Sequence, residues 1–125
     1  MKGTQLGEFE ELVLLTVGVL QESAYGVGVK EEIELRSNRK VTLSTVHATL
    51  IRLEEKGFLE SVLGEATKER GGKRKRIFKM TSQGGNALVS ARDLRNDLWS
   101  SMPKMVFSEN FSKLKLTFSR FRLSL

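Results

Sequence analysis

A chain of 125 residues, 39% of them hydrophobic and 29% charged, is long enough for one soluble domain but not for a second large core. The absence of cysteine excludes disulfides, thiol nucleophiles and thiolate metal sites, and no apolar run approaches the length of about 18 residues that a membrane span requires. The N-terminus lacks the pattern of a signal peptide, so the expected compartment is the cytoplasm.

The positive charge is concentrated in one short segment. Residues 68–79 contain seven Lys or Arg and one Glu, so this segment carries a charge of +6, equal to the net charge of the whole chain. Residues 1–40 are slightly acidic. Such a cluster is typical of a surface that binds a polyanion, although a solvated basic loop has the same composition.

The first two elements are predicted to be helices. Apolar side chains between residues 9 and 20 recur on one face, and glutamates occupy the first turn, where they complement the helix dipole. Ser23 is expected to cap a second helix, in which Tyr25, Val29 and Ile33 are spaced by four.

The third helix provides the first candidate binding surface. Thr42 or Ser44 is expected to cap it, an apolar stripe from Leu43 to Leu53 faces the core, and Gly57 suits the position just past its end. Small and hydroxyl side chains on the opposite face allow close approach to a DNA major groove, where an arginine can reach a phosphate or a guanine. A plain solvated face usually carries more Glu and Lys. The predicted contacts are Thr42, Ser44, Thr45, His47, Ala48, Thr49 and Arg52.

Residues 58–63 and 74–80 are predicted to form two short strands. The second strand alternates, with Arg76, Phe78 and Met80 on one side, and the segment between the strands is glycine-rich and basic. Three helices followed by a basic hairpin have the order of a winged helix-turn-helix. The predicted fold is therefore mainly α with a small β-hairpin.

Thr81 is expected to begin a fourth helix that mediates dimerisation. Its apolar residues are spaced like a coiled-coil seam, and since three helices and a hairpin already supply a core, a second copy of the chain is the natural partner. Pro103 is expected to end or kink this helix. The predicted interface consists of Phe9, Ala87, Leu88, Ala91, Leu94, Leu98 and Met102.

The predicted domain organisation has three parts. Residues 1–80 form the winged helix-turn-helix, residues 81–106 the dimerisation helix, and residues 107–125 a basic C-terminal extension. The extension combines helical spacing of Phe and Leu with several cations, which favours an amphipathic helix packed on the dimer over a membrane-surface segment or a frayed tail.

Five stretches of the sequence resemble, in order, the PadR family of transcriptional regulators, and together they extend over about residues 6–90. Two positions depart from the family pattern. His47 stands where the family usually has a tyrosine that helps to hold the DNA backbone, and Ser44 stands where it often has glycine. The matching stretches are residues 6–15 of the opening helix, 24–27 of the second, 46–57 of the recognition helix, 64–76 of the wing and 80–84 before the dimerisation helix.

The resemblance implies a homodimeric regulator, expected to be a repressor. Its two recognition helices would enter successive major grooves of a roughly palindromic operator, with half-sites about 10 base pairs apart. Wing cations would neutralise phosphates or enter the minor groove, so charge reversal at Arg74 and Arg76 is expected to abolish binding while leaving the dimer intact. The predicted wing contacts are Lys68, Arg70, Lys73, Arg74, Lys75 and Arg76.

The resemblance also implies a candidate effector site. Short family members can bind flat, apolar molecules between their fourth helices, so Trp99 is a candidate ligand contact, and an ordinary packing role is the simpler alternative. A small apolar or planar effector would then release the operator.

Other functional classes have weaker support. His47 is the only histidine, which excludes a multi-histidine metal site, and no nucleophile–base pair is recognisable, so neither a cofactor nor an enzymatic activity is expected. Two alternatives stay open: a protein-interaction or membrane-surface module that uses the basic extension, and an RNA-binding winged helix.

Overall fold

The computed structural model describes residues 5–66 and 74–104. The C-terminal extension predicted for residues 107–125 lies outside this part of the chain. Within it, four α-helices and one antiparallel hairpin confirm the predicted fold class. The elements are α1 (Glu8–Leu20), a short 3-10 turn (Gln21–Ser23), α2 (Gly26–Ser37), α3 (Leu43–Glu55), β1 (Leu59–Ala66), β2 (Arg74–Met80) and α4 (Ser82–Ser101).

One hydrophobic core holds α1, α2, α3 and the hairpin together, in a compact unit that extends to Arg92. The apolar stripe of each helix points inward, as its spacing of three and four residues requires. Leu6, Phe9, Ala87 and Leu88 pack against this core from outside. The buried core residues are Val13, Leu14, Val17, Ala24, Val29, Ile33, Val46, Leu50, Leu53, Phe58, Leu59 and Phe78.

The start of α2 differs from the prediction, because Ser23 does not cap it. Ser23 lies in the 3-10 turn, and its carbonyl accepts the N–H of Tyr25 at 3.0 Å. Ala24 then pairs with β2, since its carbonyl accepts the N–H of Phe78 at 2.8 Å. Because Ala24 is bonded to β2, α2 begins after it, with Tyr25 as the N-cap and Gly26 as the first residue.

The predicted limits of α3 are confirmed. The hydroxyl oxygen of Thr42 accepts the N–H of Thr45 at 3.1 Å, so Thr42 rather than Ser44 is the cap. Gly57 follows the helix at φ +83, a conformation that favours glycine. Leu43 is exposed in the first turn, so the buried stripe begins at Val46 and not at Leu43.

Strand β1 begins at Leu59, one residue later than predicted, and ends at Ala66, three residues later than predicted. Leu59 pairs with Met80, Ser61 pairs with Phe78, and the register shifts between Leu63 and Ala66. The residue before β1, Phe58, is buried in the core, and its carbonyl accepts the N–H of Thr81. This bond joins the base of the hairpin to the start of α4.

Helix α4 begins as predicted after Thr81, whose hydroxyl oxygen accepts the N–H of Gly84 at 3.1 Å. The described residues from Asp93 to Lys104 belong to a second compact unit, in which Leu94 and Leu98 are each 60% exposed. None of the helices described here has an apolar stretch of the length that a bilayer crossing needs.

Candidate DNA-binding surface

The outward face of α3 consists of short side chains, as the sequence predicts. Ser44, Thr45, His47 and Ala48 are all exposed there. The hydroxyl oxygen of Thr42 lies 2.8 Å from that of Thr45 and 3.2 Å from that of Ser44. The N-terminal end of α3 therefore presents three adjacent hydroxyl groups, and none of residues 42–48 is Asp, Glu, Lys or Arg.

His47 lies between α3 and the start of α2. Its imidazole covers Gly26 so closely that a Cβ on that glycine would lie 2.6 Å from both Cε1 and Nε2 of the ring. Glycine at the first position of α2 is therefore what allows the imidazole to lie there. His47 is exposed, so the ring is both packed on α2 and accessible on the surface of α3.

The prediction that Thr49 contacts DNA is wrong. Its side chain is only 1% exposed, and its hydroxyl donates to the carbonyl of Thr45 at 2.8 Å. Thr49 lies one turn after Val46 and one turn before Leu53, both of which are buried, so the helix turns it toward the core. A hydroxyl bonded within its own helix and hidden from solvent cannot reach a ligand.

Arg52 is half exposed, but its guanidinium is paired within the protein. Its Nε donates to Oε2 of Glu10 at 3.0 Å, and an Nη group lies 3.4 Å from the hydroxyl of Thr49. Lys56 donates to Oε1 of the same carboxylate at 2.8 Å. One glutamate of α1 thus binds two cations, Arg52 of α3 and Lys56 directly after it.

Glu10 is a charged residue on the buried face of α1, with a side chain that is 9% exposed. Burial alone would raise its pKa, but hydrogen bonds from the backbone N–H of Gly7, from Lys56 and from Arg52 outweigh burial and lower the pKa below the usual 4.5. Glu10 is therefore ionised at neutral pH and fixes α3 against the N-terminal end of α1.

The described wing cations differ in their surroundings. Nε of Arg74 donates to the carbonyl of Gly64 at 2.8 Å, and Nζ of Lys75 lies 4.1 Å from the ring centroid of Tyr25. Arg76 is bound to Glu54. The predicted contacts Lys68, Arg70 and Lys73 lie outside the described residues.

Two carboxylates of this surface, Glu10 and Glu54, were missed by the sequence analysis. The burial of Glu10 could have been predicted from the sequence. It lies three residues before Val13 and four before Leu14, which places it on the buried face of α1. Glu54 has no such signal, since its partner Arg76 is 22 positions away and reaches it only through the hairpin.

The residues of the predicted dimer interface have different environments. Phe9, Ala87 and Leu88 are partly buried against the core of their own chain, and the guanidinium of Arg39 lies 5.2 Å from the ring centroid of Phe9. Ala91 and Met102 are half-buried, whereas Leu94 and Leu98 are exposed. Trp99, the candidate ligand contact, is 66% exposed.

Comparisons with known proteins identify the fold. No protein-family model and no curated protein sequence matches this chain. Solved structures do match. A PadR-like transcription factor from Bacteroides fragilis has a TM-score of 0.63 and 21% identity, with coverage of 74% of this chain and 84% of that one. The chain has the winged-helix fold of PadR-like transcription factors.

Two further structures give the same result. A PadR family transcriptional regulator from Eggerthella lenta DSM 2243 has a TM-score of 0.60 and 23% identity, over 76% of this chain and 80% of that one. H. salinarum RosR has a TM-score of 0.60 and 19% identity, over 96% of both chains. The PadR-like fold expected from the sequence is confirmed, with a likeness that extends over most of each protein.

Proposed function

We propose that this protein is a DNA-binding transcriptional regulator of the PadR type that inserts α3 into the major groove and lays the hairpin on the adjacent backbone. The observation that carries the proposal is the outward face of α3, where Ser44, Thr45, His47 and Ala48 are exposed and the first two turns contain no Asp, Glu, Lys or Arg. The solved structures with this fold that are named above include two described as transcription factors or regulators.

The proposed groove contacts are the hydroxyl groups of Thr42, Ser44 and Thr45, the imidazole of His47 and the methyl group of Ala48. Hydroxyls bond either base edges or phosphates, and a methyl group can pack on thymine. These residues surround the N-terminal end of α3, where the helix dipole also favours a phosphate.

The proposed backbone contacts are the wing cations. Each cation that neutralises a phosphate releases a counterion, so the hairpin would supply affinity that depends steeply on salt but little on sequence. Arg52 is left out of this set because Glu10 already holds it. The proposed contacts are Lys68, Arg70, Lys73, Arg74 and Lys75.

The proposed assembly is a twofold dimer joined through α4. Leu94 and Leu98 are large, exposed and one turn apart, a spacing that suits a seam between two copies of one helix. Twofold symmetry would then require a palindromic operator with half-sites about 10 base pairs apart.

The proposed mode of action is repression in the cytoplasm, by occupancy of an operator. A planar effector that stacks on Trp99 near the dimer seam would release the DNA by changing the spacing of the two recognition helices. Quenching of tryptophan fluorescence by a planar cationic dye tests this step. An unchanged emission spectrum at saturating dye would contradict it.

The proposal is tested by blocking the groove face with a single acidic side chain. Ala48→Glu adds a long negative side chain to the middle of that face, whereas Leu35→Glu adds the same charge to α2 at a site that is 80% exposed. Affinity for a selected duplex is measured by fluorescence anisotropy for the wild type and both variants, after urea unfolding shows that each is folded.

The expected result is loss of sequence-specific binding in Ala48→Glu and near-normal binding in Leu35→Glu. The physical reason is that steric blockage and phosphate repulsion act only where the helix meets DNA. Equal binding by the two variants would contradict the placement of α3 in the groove.

A further inference from the structure

Glu54, Ser61 and Arg76 form a closed ring of hydrogen bonds between the end of α3 and both strands of the hairpin. The hydroxyl of Ser61 donates to Oε2 of Glu54 at 2.7 Å. Nε of Arg76 donates to the oxygen of Ser61 at 2.9 Å, and Nη2 donates to Oε1 of Glu54 at 2.7 Å. Both carboxylate oxygens are therefore used, and each of the three elements contributes one residue.

This ring is closer to the hairpin tip than the contacts that hold the hairpin base. The base is fixed by burial of Phe78, whose N–H donates to Ala24, and by the bond from Thr81 to Phe58. Arg76 is two residues nearer the tip than Phe78, and its guanidinium lies 5.4 Å from that ring. The ring thus links the outer part of the hairpin to α3 itself.

We propose that Glu54 is a positioning residue that sets the placement of the wing relative to the recognition helix, and that Arg76 serves as its partner rather than as a phosphate contact. The inference rests on the proposed DNA-binding function and changes the assignment of one predicted contact. A wing held in its binding position loses less conformational freedom when the complex forms, which increases affinity.

For one substitution, the proposal and simple electrostatics predict opposite changes in DNA affinity. Glu54→Gln makes the protein more positive near the DNA, so a purely electrostatic account expects tighter binding. If Glu54 positions the wing, the same substitution weakens binding because the wing must be ordered during association. We expect a loss of about three- to tenfold, corresponding to one charge-assisted interaction at a half-exposed site.

Arg76→Gln and Arg74→Gln form a matched pair for the second part of the proposal. Both remove one positive charge from β2, but only Arg76 belongs to the ring. Arg74→Gln is expected to reduce the salt slope, log Kobs against log salt, by about 0.9, as loss of a single phosphate contact does. Arg76→Gln is expected to weaken binding to a similar extent at every salt concentration and to leave the slope unchanged.

The experiment combines fluorescence anisotropy over a range of salt concentrations with amide hydrogen exchange measured without DNA. The variants are Glu54→Gln, Arg76→Gln, their double variant and Arg74→Gln. We expect the double variant to bind no worse than either ring variant, and the β2 amides to exchange about threefold faster in all three ring variants but not in Arg74→Gln.

Tighter or unchanged binding by Glu54→Gln would overturn the proposal, as would a slope change for Arg76→Gln equal to that for Arg74→Gln. Unchanged amide hydrogen exchange of β2 in the ring variants would also overturn the proposal, whatever the measured DNA affinities. If the wild type itself fails to bind duplex DNA, the proposed function fails, and the exchange data still report on the attachment of the wing.

Discussion

Replacing Glu10 by glutamine should destabilise the protein, and the loss should depend on pH. The carboxylate accepts hydrogen bonds from Gly7, Arg52 and Lys56 at 2.8 to 3.0 Å. An amide has one oxygen, so at least one cation would face an NH₂ group instead of an acceptor. A hydrogen bond to a charged group is worth about 1.5–3 kcal/mol, and Arg52 is half exposed, so we expect a loss of about 2 kcal/mol at pH 7.

The sign of the pH dependence follows from the lowered pKa of Glu10. A carboxylate whose folded pKa lies below its unfolded value of 4.5 stabilises the protein fully above that value, and the stabilisation disappears as pH falls through the folded pKa. The difference between wild type and Glu10→Gln should therefore be constant from pH 6 to 7 and shrink below about pH 4.5.

The assay is urea unfolding followed by circular dichroism at several pH values, with Glu31→Gln as the control. Glu31 is exposed on α2, so its substitution should change the free energy of unfolding by less than about 0.5 kcal/mol. A loss of 2 kcal/mol corresponds to a decrease in Tm of about 8–16 °C for a domain of this size. Equal stability of Glu10→Gln and wild type at pH 7, or a difference that grows in acid, would refute the reasoning.

Three further predictions concern the cap of α3, the start of α4 and the dimer. Thr42→Ala should lower the free energy of unfolding by about 1 kcal/mol in urea titrations, and no change would argue against the cap. Gly84→Ala should lower it by about 1–3 kcal/mol because a Cβ would collide with the carbonyl of Phe58. Gly85→Ala, whose nearest neighbour lies 4.0 Å away, should leave it unchanged or raise it. Leu98→Asp should convert dimer to monomer in sedimentation velocity, and an unchanged sedimentation coefficient would contradict the α4 seam.

Elements with a strong periodic pattern were predictable from the sequence. The stripe of Val46, Leu50 and Leu53 located α3, and Gly57 marked its end, because these signals depend only on residues close in the chain. Alternation in β2 predicted that Arg76, Phe78 and Met80 share one side of the strand, and of these three Phe78 is buried in the structure. Local signals therefore sufficed for the fold class and for the exposure of Ser44, Thr45, His47 and Ala48 on α3.

Features that depend on tertiary pairing were not predictable in the same way. Ser23 has the chemistry of a cap, but pairing of Ala24 with Phe78 moves the start of α2 to Gly26. Thr49 lies on the flank of the apolar stripe, where only packing against neighbouring elements decides burial. The partnership of Glu54 with Arg76 requires the hairpin register, which no local pattern encodes.

The central claim is that α3 and the wing grip duplex DNA as a twofold unit, and hydroxyl-radical footprinting of a duplex selected from a random pool tests it most directly. The account predicts an enriched, roughly palindromic sequence with two protected stretches on one face of the helix, centred about 10 base pairs apart. Absence of any enriched sequence, together with no protection even in dilute buffer, would contradict it.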